Sequence, residues 1–382
     1  MSRTIIKIKS QLMREYYKDF SKYAKGKTPE KKVAWITAFT PVEILEALDI
    51  AYYYPESYAA VIAASGQEQP LIDESDMNCL SKDCCSYSCC FNGCLDLVSG
   101  PRGIPPKPDV LIATNNQCNT LPNWWNVLAE KYNVPLIIID YPGEYTDRST
   151  AEEYVNQQHA MLIYKLEELS GNKLNDSKLN ELIENSKKSV KAWNSVISYL
   201  PFKDIEATML FDDINFLITS RCKEETSELY RMMAADIAEK EAPQDEKIPL
   251  FWLGYPLWYH PNRYLKELLG NYRIVGSNYV TWWSLDYSGA DNYEKLFSAY
   301  NYTFLNLKQQ SRDERLKKVI EASRANCAVV LHNKSCKCDF VSARNIEIPQ
   351  AELEIDMIDR LFLDVEKAKY QIELLEDTIC SE

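Results

Sequence analysis

Glycine is sparse in this 382-residue chain, with 11 residues, and histidine is sparser, with three. Neither GxxxxGK(S/T) nor a GxGxxG following a strand occurs. Both motifs use glycine to bring backbone N–H groups against phosphates, so the chain shows no nucleotide cradle of its own. Cations are outnumbered, 43 Lys and Arg against 56 Asp and Glu, for a formal charge of −13. Binding to a phosphate backbone relies on clustered cations displacing counterions, which argues against nucleic acid as a partner. No segment reaches the roughly 18 unbroken apolar residues of a membrane span. The opening MSRTIIKIKSQLMREYYKDF mixes charge with apolar positions at helical spacing and lacks the apolar region and cleavage site of a secretory signal, so a soluble, cytoplasmic protein is expected. CxxC is missing too, which argues against structural zinc built from two such pairs. CxxCxxC is likewise missing, which argues against an electron carrier of the ferredoxin kind.

What the chain does have is cysteine: twelve in all, six of them between 79 and 94 in CLSKDCCSYSCCFNGC. Cytoplasmic thiols are kept reduced and a chain of this length needs no disulfide staples, so metal binding is the leading reading. Buried packing thiols are the alternative, and they suit the isolated Cys222, Cys327 and Cys380 better than the doublets Cys84-Cys85 and Cys89-Cys90.

Length and composition predict two globular domains. VAWITAF (33–39) reads as a buried strand and PVEILEALDIAYYY after it as a helix. DVLIAT (109–114), a helix through WWNVLAEKYN, and PLIIIDYP (135–142) continue the alternation, which predicts α/β architecture with a parallel sheet. Residues 1–150 form the expected N-terminal α/β domain carrying the cysteine-rich segment. Long amphipathic stretches make 151–245 a helical connector, and the mixed-charge run at 238–249 reads as a solvated linker. Residues 246–382 form a second α/β domain, with PLFWLGYP (249–256), NYRIVGSNYV (271–280), CAVVLH (327–332) and AELEID (351–356) as strands and a closing helix within DMIDRLFLDVEKAKYQIELLEDTI.

Ligands of open parallel sheets gather at the carboxyl ends of strands. Cys118 directly follows DVLIAT, and Cys336 and Cys338 directly follow CAVVLH. If the two domains face each other, these loops meet the 79–94 segment in the cleft between them. A four-iron, four-sulfur cubane held by three thiolates leaves one iron open, as a Lewis acid or an electron donor. Two cubanes joined by a sulfide need six thiolates, which this chain can supply.

Taken together, Cys79 and Cys85 ahead of CLDLVSG, Cys118 in VLIATNNQCNTLPNWW, and Cys338 in CAVVLHNKSCKCDF make the chain resemble the iron–sulfur subunits of the 2-hydroxyacyl-CoA dehydratase and benzoyl-CoA reductase family. The resemblance implies two Rossmann- or flavodoxin-like domains with the cluster in the cleft, and one ligand from each region: Cys79, Cys118 and Cys338. It also implies electrons supplied by a separate ATP-hydrolysing iron–sulfur activator. The additional thiols Cys84, Cys89, Cys90, Cys94 and Cys336 make the chain more similar to the double-cubane members, with an eight-iron, nine-sulfur cluster, a homodimeric assembly and a small-molecule substrate to reduce. The other implied form is a dehydratase or reductase subunit with one 4Fe-4S cubane and an acyl-CoA in the cleft. Neighbouring side chains diverge by about 100° on a helix. A second cubane would therefore take Cys84 or Cys85, one of Cys89 and Cys90, and Cys336; the choice adopted is Cys85, Cys90 and Cys336. A cluster carrier without turnover of its own is the remaining class.

Around these thiols, Cys94 reads equally as ligand or packing residue. His332 is a candidate proton donor or a member of a local hydrogen-bond network. Asn115, Asn116 and Gln117 are candidate donors to the cluster or caps for the following helix. The doublets Trp124-Trp125 and Trp282-Trp283 and the stretch FWLGYPLWYH read as core or interface aromatics.

Overall fold

The computed structural model describes residues 2–78, 80–259, 267–336 and 346–381. Cys79 and Cys338 therefore lie outside the described residues.

Among the described residues eight strands form two parallel four-stranded sheets: β1 (Val33–Ile36), β2 (Ala51–Tyr53), β3 (Val110–Thr114) and β4 (Leu136–Ile139), then β5 (Ile248–Leu253), β6 (Tyr272–Ser277), β7 (Cys327–Asn333) and β8 (Gln350–Ile355). Their orders are β2-β1-β3-β4 and β6-β5-β7-β8. Continuous apolar runs such as Val110–Thr114, buried at every position, are what a sheet covered on both faces by helices demands. The α/β expectation holds. One segment differs: PVEILEALDIAYYY is not a single helix. Its helix, Val42–Ala47, stops where Asp49 enters the left-handed region at φ 60, and the chain re-emerges as β2. β6 likewise gives way at Ser277, whose hydroxyl accepts from the Tyr279 N–H and caps the helix Asn278–Trp282.

Long helices Arg148–Ser170, Asp176–Ser198 and Glu224–Ala238 lie between the sheets in sequence. One continuous core cluster runs from Ile5 through both halves to Leu375. The seam between the halves is polar as well as apolar. The Tyr287 and Tyr300 hydroxyls donate to the Glu43 carboxylate at 2.8 and 2.6 Å, Ser186 Oγ donates to it at 2.6 Å, and Arg221 is buried close by. Asn306 Nδ2 donates to the Tyr141 carbonyl at 2.9 Å, and Gly143 N–H donates to Asn301 Oδ1 at 2.8 Å. Buried polar groups matched this way fix how the two halves meet, because an unmatched alternative would strand several of them.

Candidate functional site

The cysteine-rich segment becomes a short turn followed by the helix Ser86–Asp96, with Cys85 at its N-cap. This helix lies against the helix Glu68–Met77 at Gly93, where a Cβ would sit 1.9 Å from the Leu71 carbonyl oxygen. Only glycine admits that approach.

Three loops then meet. Ser335 Oγ donates to Ser86 Oγ at 2.8 Å in the interior, which brings the residue beside Cys336 to the residue beside Cys85 although 249 positions separate them. Cys118 follows β3 and reaches the same place. Burial, then the neighbouring Cys336, with lesser contributions from Cys118 and Glu56, push the Cys85 thiol well up. Three thiols and a carboxyl thus crowd together with no protein cation among the influences on Cys85, an arrangement that disfavours free thiolates and suits a group bringing its own positive charge. The donors are soft sulfur, the ligand type of iron–sulfur clusters. Among the described residues no set of three or more His, Cys, Asp or Glu has closed metal-binding geometry. The convergence is of loops and environment.

The other thiols separate from this group. Cys89 is pushed up to about 12, by burial and then by Cys84, and its Sγ points at the Ser81 carbonyl at 3.4 Å. Cys90 and Cys94 lie fully buried one helical turn apart, with Glu68 near Cys90. Cys222 and Cys327 are buried, whereas Cys380 is exposed on the closing helix Val365–Ser381. His332 sits within β7 with Nε2 3.4 Å from Glu352 Oε2, and it does not line the cavity described next.

Beside the thiols opens a cavity of about 380 Å³. Its walls come from both halves: Phe39 after β1, the helix Pro55–Ala64, Tyr87 and Gln117 on one side; Tyr255, Trp258, Tyr279, Trp282 and Trp283 on the other. Trp258 Nε1 donates to the Tyr87 hydroxyl at 2.7 Å across it. Phe39 holds φ 62, rare for a side chain this large, while its ring stacks on Trp283 at 5.1 Å. Strain of this kind persists only where surrounding contacts enforce it, and it concentrates at functional sites. Trp282, Trp283, Tyr255 and Trp258, expected as core or interface, are cavity wall; Trp124 and Trp125 are core.

Glu56 is the site residue that sequence reasoning missed. It lies next to Pro55 in the first helical turn, where a carboxylate ordinarily complements the helix dipole, so nothing marked it. In the fold it lines the cavity, accepts from the Ala38 N–H at 3.3 Å, and is pushed up to about 8 by burial and then by Cys118. Of the neighbouring amides, Asn115 receives the Tyr141 N–H and pairs with Asp140, Asn116 donates to the Tyr300 carbonyl at 3.0 Å, and Gln117 faces the cavity. None of the three caps the helix Thr120–Tyr132.

Two α/β halves with thiol-bearing loops at one seam define a class, and comparison with known proteins gives the family. Residues 37–376 match the model of the 2-hydroxyglutaryl-CoA dehydratase, D-component family, and the chain belongs to that family. It is 26% identical over 343 residues to lactoyl-CoA dehydratase subunit alpha of Anaerotignum propionicum, covering 83% of this chain and 81% of that one. It is 26% identical to the (R)-phenyllactyl-CoA dehydratase alpha subunit of Clostridium sporogenes, covering 80% and 77%, and 22% identical to a benzoyl-CoA reductase subunit of Thauera aromatica, covering 91% and 89%. Among the described residues no helix is long and apolar enough to cross a membrane.

Proposed function

We propose that the chain is the subunit of a 2-hydroxyacyl-CoA dehydratase or benzoyl-CoA-type reductase that carries one 4Fe-4S cubane, held by Cys85, Cys118 and Cys336, and that the adjoining cavity receives the acyl end of a coenzyme A thioester. The observation carrying this reading is the meeting of those three loops beside a cavity that both halves build. When bound, such a cubane supplies an open iron able to take an oxygen ligand and to pass single electrons.

The chain's own residues supply the rest. The aromatic walls exclude water and hold the acyl group by apolar contact. Glu56, on the wall beside the thiols, is positioned to exchange a proton with the bound substrate, and Gln117 to orient the thioester by hydrogen bonding. A different subunit completes the enzyme, in keeping with the relatives' names as subunits, and a separate ATP-hydrolysing activator provides the electrons. Cytoplasmic location fits reduced thiols in this number.

A second reading has its own observation. Cys84 and Cys89 form another thiol pair in the same cysteine-rich segment, and the chain's remaining cysteines bring the number of thiolates to what a double cubane in a homodimeric reductase of small molecules needs. Anaerobic purification with iron, sulfide and subunit analysis decides between them. About four iron per chain and a second kind of subunit support the first reading, and about eight iron in a homodimer supports the second. Protein without iron overturns both.

A further inference from the structure

We infer that the cavity is built for an acyl group whose far end is uncharged and apolar, branched or aromatic, and that it rejects a dicarboxylic acyl group. This rests on the acyl-CoA reading above and narrows it.

The argument begins with charge. Among the described residues the lining contains no arginine and no histidine, and its one cation is Lys9. That cation is engaged: Lys9 Nζ lies 2.6 Å from Asp213 Oδ1, with the Asp213 side chain buried. Asp212 and Glu56 add two more acidic groups to the wall, so the lining holds three carboxyl groups against one ammonium. A second carboxylate brought in on a substrate would meet the Asp212 and Asp213 carboxyl groups and, among the described lining residues, no cation outside the Lys9–Asp213 pair, so its desolvation would be repaid by no counter-charge.

Shape gives the positive half. Away from Glu56 and Gln117 the wall is Phe39, Val61, Phe211, Phe216 and Trp282, with Trp283 stacked on Phe39. Fixed aromatic faces of this kind gain by edge and face contact with a ring or a branched chain. The volume, about 380 Å³, falls in the range of roughly 300–1,000 Å³ typical of small-molecule sites, so the acyl group and the adjoining thioester arm fit while the charged nucleotide end stays outside.

The test is calorimetric binding to the anaerobically purified protein with its native subunits, using 3-phenylpropionyl-CoA, 4-methylpentanoyl-CoA and glutaryl-CoA. These share the coenzyme and cannot lose a 2-hydroxyl group. The expected order is phenylpropionyl and methylpentanoyl at least about 100-fold tighter than glutaryl, the scale of several kcal/mol for a like-charge contact. Val61→Arg, on the half-buried outer part of the wall, narrows that gap by strengthening glutaryl-CoA binding, and Asp212→Asn, at an exposed position, narrows it by less. Equal binding of all three thioesters, or tighter glutaryl-CoA, overturns the inference and leaves the acyl-CoA reading standing. Absence of binding by any thioester overturns that reading and the inference with it.

Discussion

The two halves repeat one plan and use it differently. β1 in the first sheet and β5 in the second occupy the same place in the strand order, as do β3 and β7. The loop after β3 carries Cys118, and the loop after β7 carries Cys336. The turn after β1 keeps a large side chain, Phe39, in a left-handed conformation and spends its ring on the cavity wall. The matching turn after β5 uses Gly254 at φ 127, where a Cβ would lie 2.8 Å from the Leu331 Cβ. A positive φ after the strand thus serves a pocket in one half and a close packing contact in the other. Equivalent loops supply two of the proposed ligands. The third, Cys85, has no counterpart, because it comes from a helix inserted between β2 and β3 and seated by Gly93.

The sharpest way to break the comparison is to remove one thiol from each half. Cys118→Ser and Cys336→Ser are expected to lose cluster iron to the same degree, at least about 100-fold in retention, since losing a ligand should exceed the roughly 10- to 100-fold cost of losing a residue that merely supports one. Iron analysis and visible absorption of anaerobic preparations read this directly, and a large loss in only one half would end the equivalence.

Next in size is Glu56→Gln, expected to lower turnover by about 100-fold or more while iron content stays normal, the range for losing a positioned acid–base group. Full activity in that variant removes Glu56 from the chemistry. Glu43→Gln tests the seam. It weakens the acceptor of the Tyr287, Tyr300 and Ser186 hydroxyls and removes a negative charge that acts on the buried Arg221, so denaturant unfolding should show a loss of about 3–5 kcal/mol. A change below about 0.5 kcal/mol would remove the Glu43 cluster from what holds the halves together.

The smallest effect concerns pH. His159 is buried between the Tyr141 hydroxyl, 3.0 Å from Nε2, and the Tyr293 carbonyl, and burial lowers its imidazole from 6.5 to about 4. The unfolded chain therefore takes up this proton first as pH falls. Stability contributed by the neutral ring is intact above 6.5 and declines as pH drops toward about 4, by up to about 3 kcal/mol at 1.36 kcal/mol per pH unit. His159→Gln should flatten that part of the stability profile, and an unchanged slope assigns it to other groups.

The strands were legible because buried parallel strands are short, continuous apolar runs, and the cysteines after β3 and β7 were legible because strand ends are where sites form. β2 was hidden by helical periodicity that continues past Leu48, and only the left-handed Asp49 breaks it. Which of the crowded thiols faces Cys118 was not legible: Cys84, Cys85, Cys89 and Cys90 differ in direction by their place on a helix start, and the Ser86–Ser335 contact that brings the Cys336 loop to Cys85 joins residues far apart in sequence. Glu56 and the tryptophan wall were hidden for a related reason. A carboxylate in a first helical turn and a cluster of aromatics look alike whether they face solvent, core or cavity, and only the opposing half turns them into a site.

Anaerobic iron and sulfide determination on the native chain, on the Cys85→Ser/Cys118→Ser/Cys336→Ser variant and on the Cys90→Ser/Cys94→Ser variant tests the central claim most directly. The account predicts about four iron and four sulfide in the native protein, retention of both after the Cys90/Cys94 change, and their loss in the triple variant with the fold intact by far-ultraviolet circular dichroism. A triple variant that still holds its full complement of iron and sulfide would contradict it.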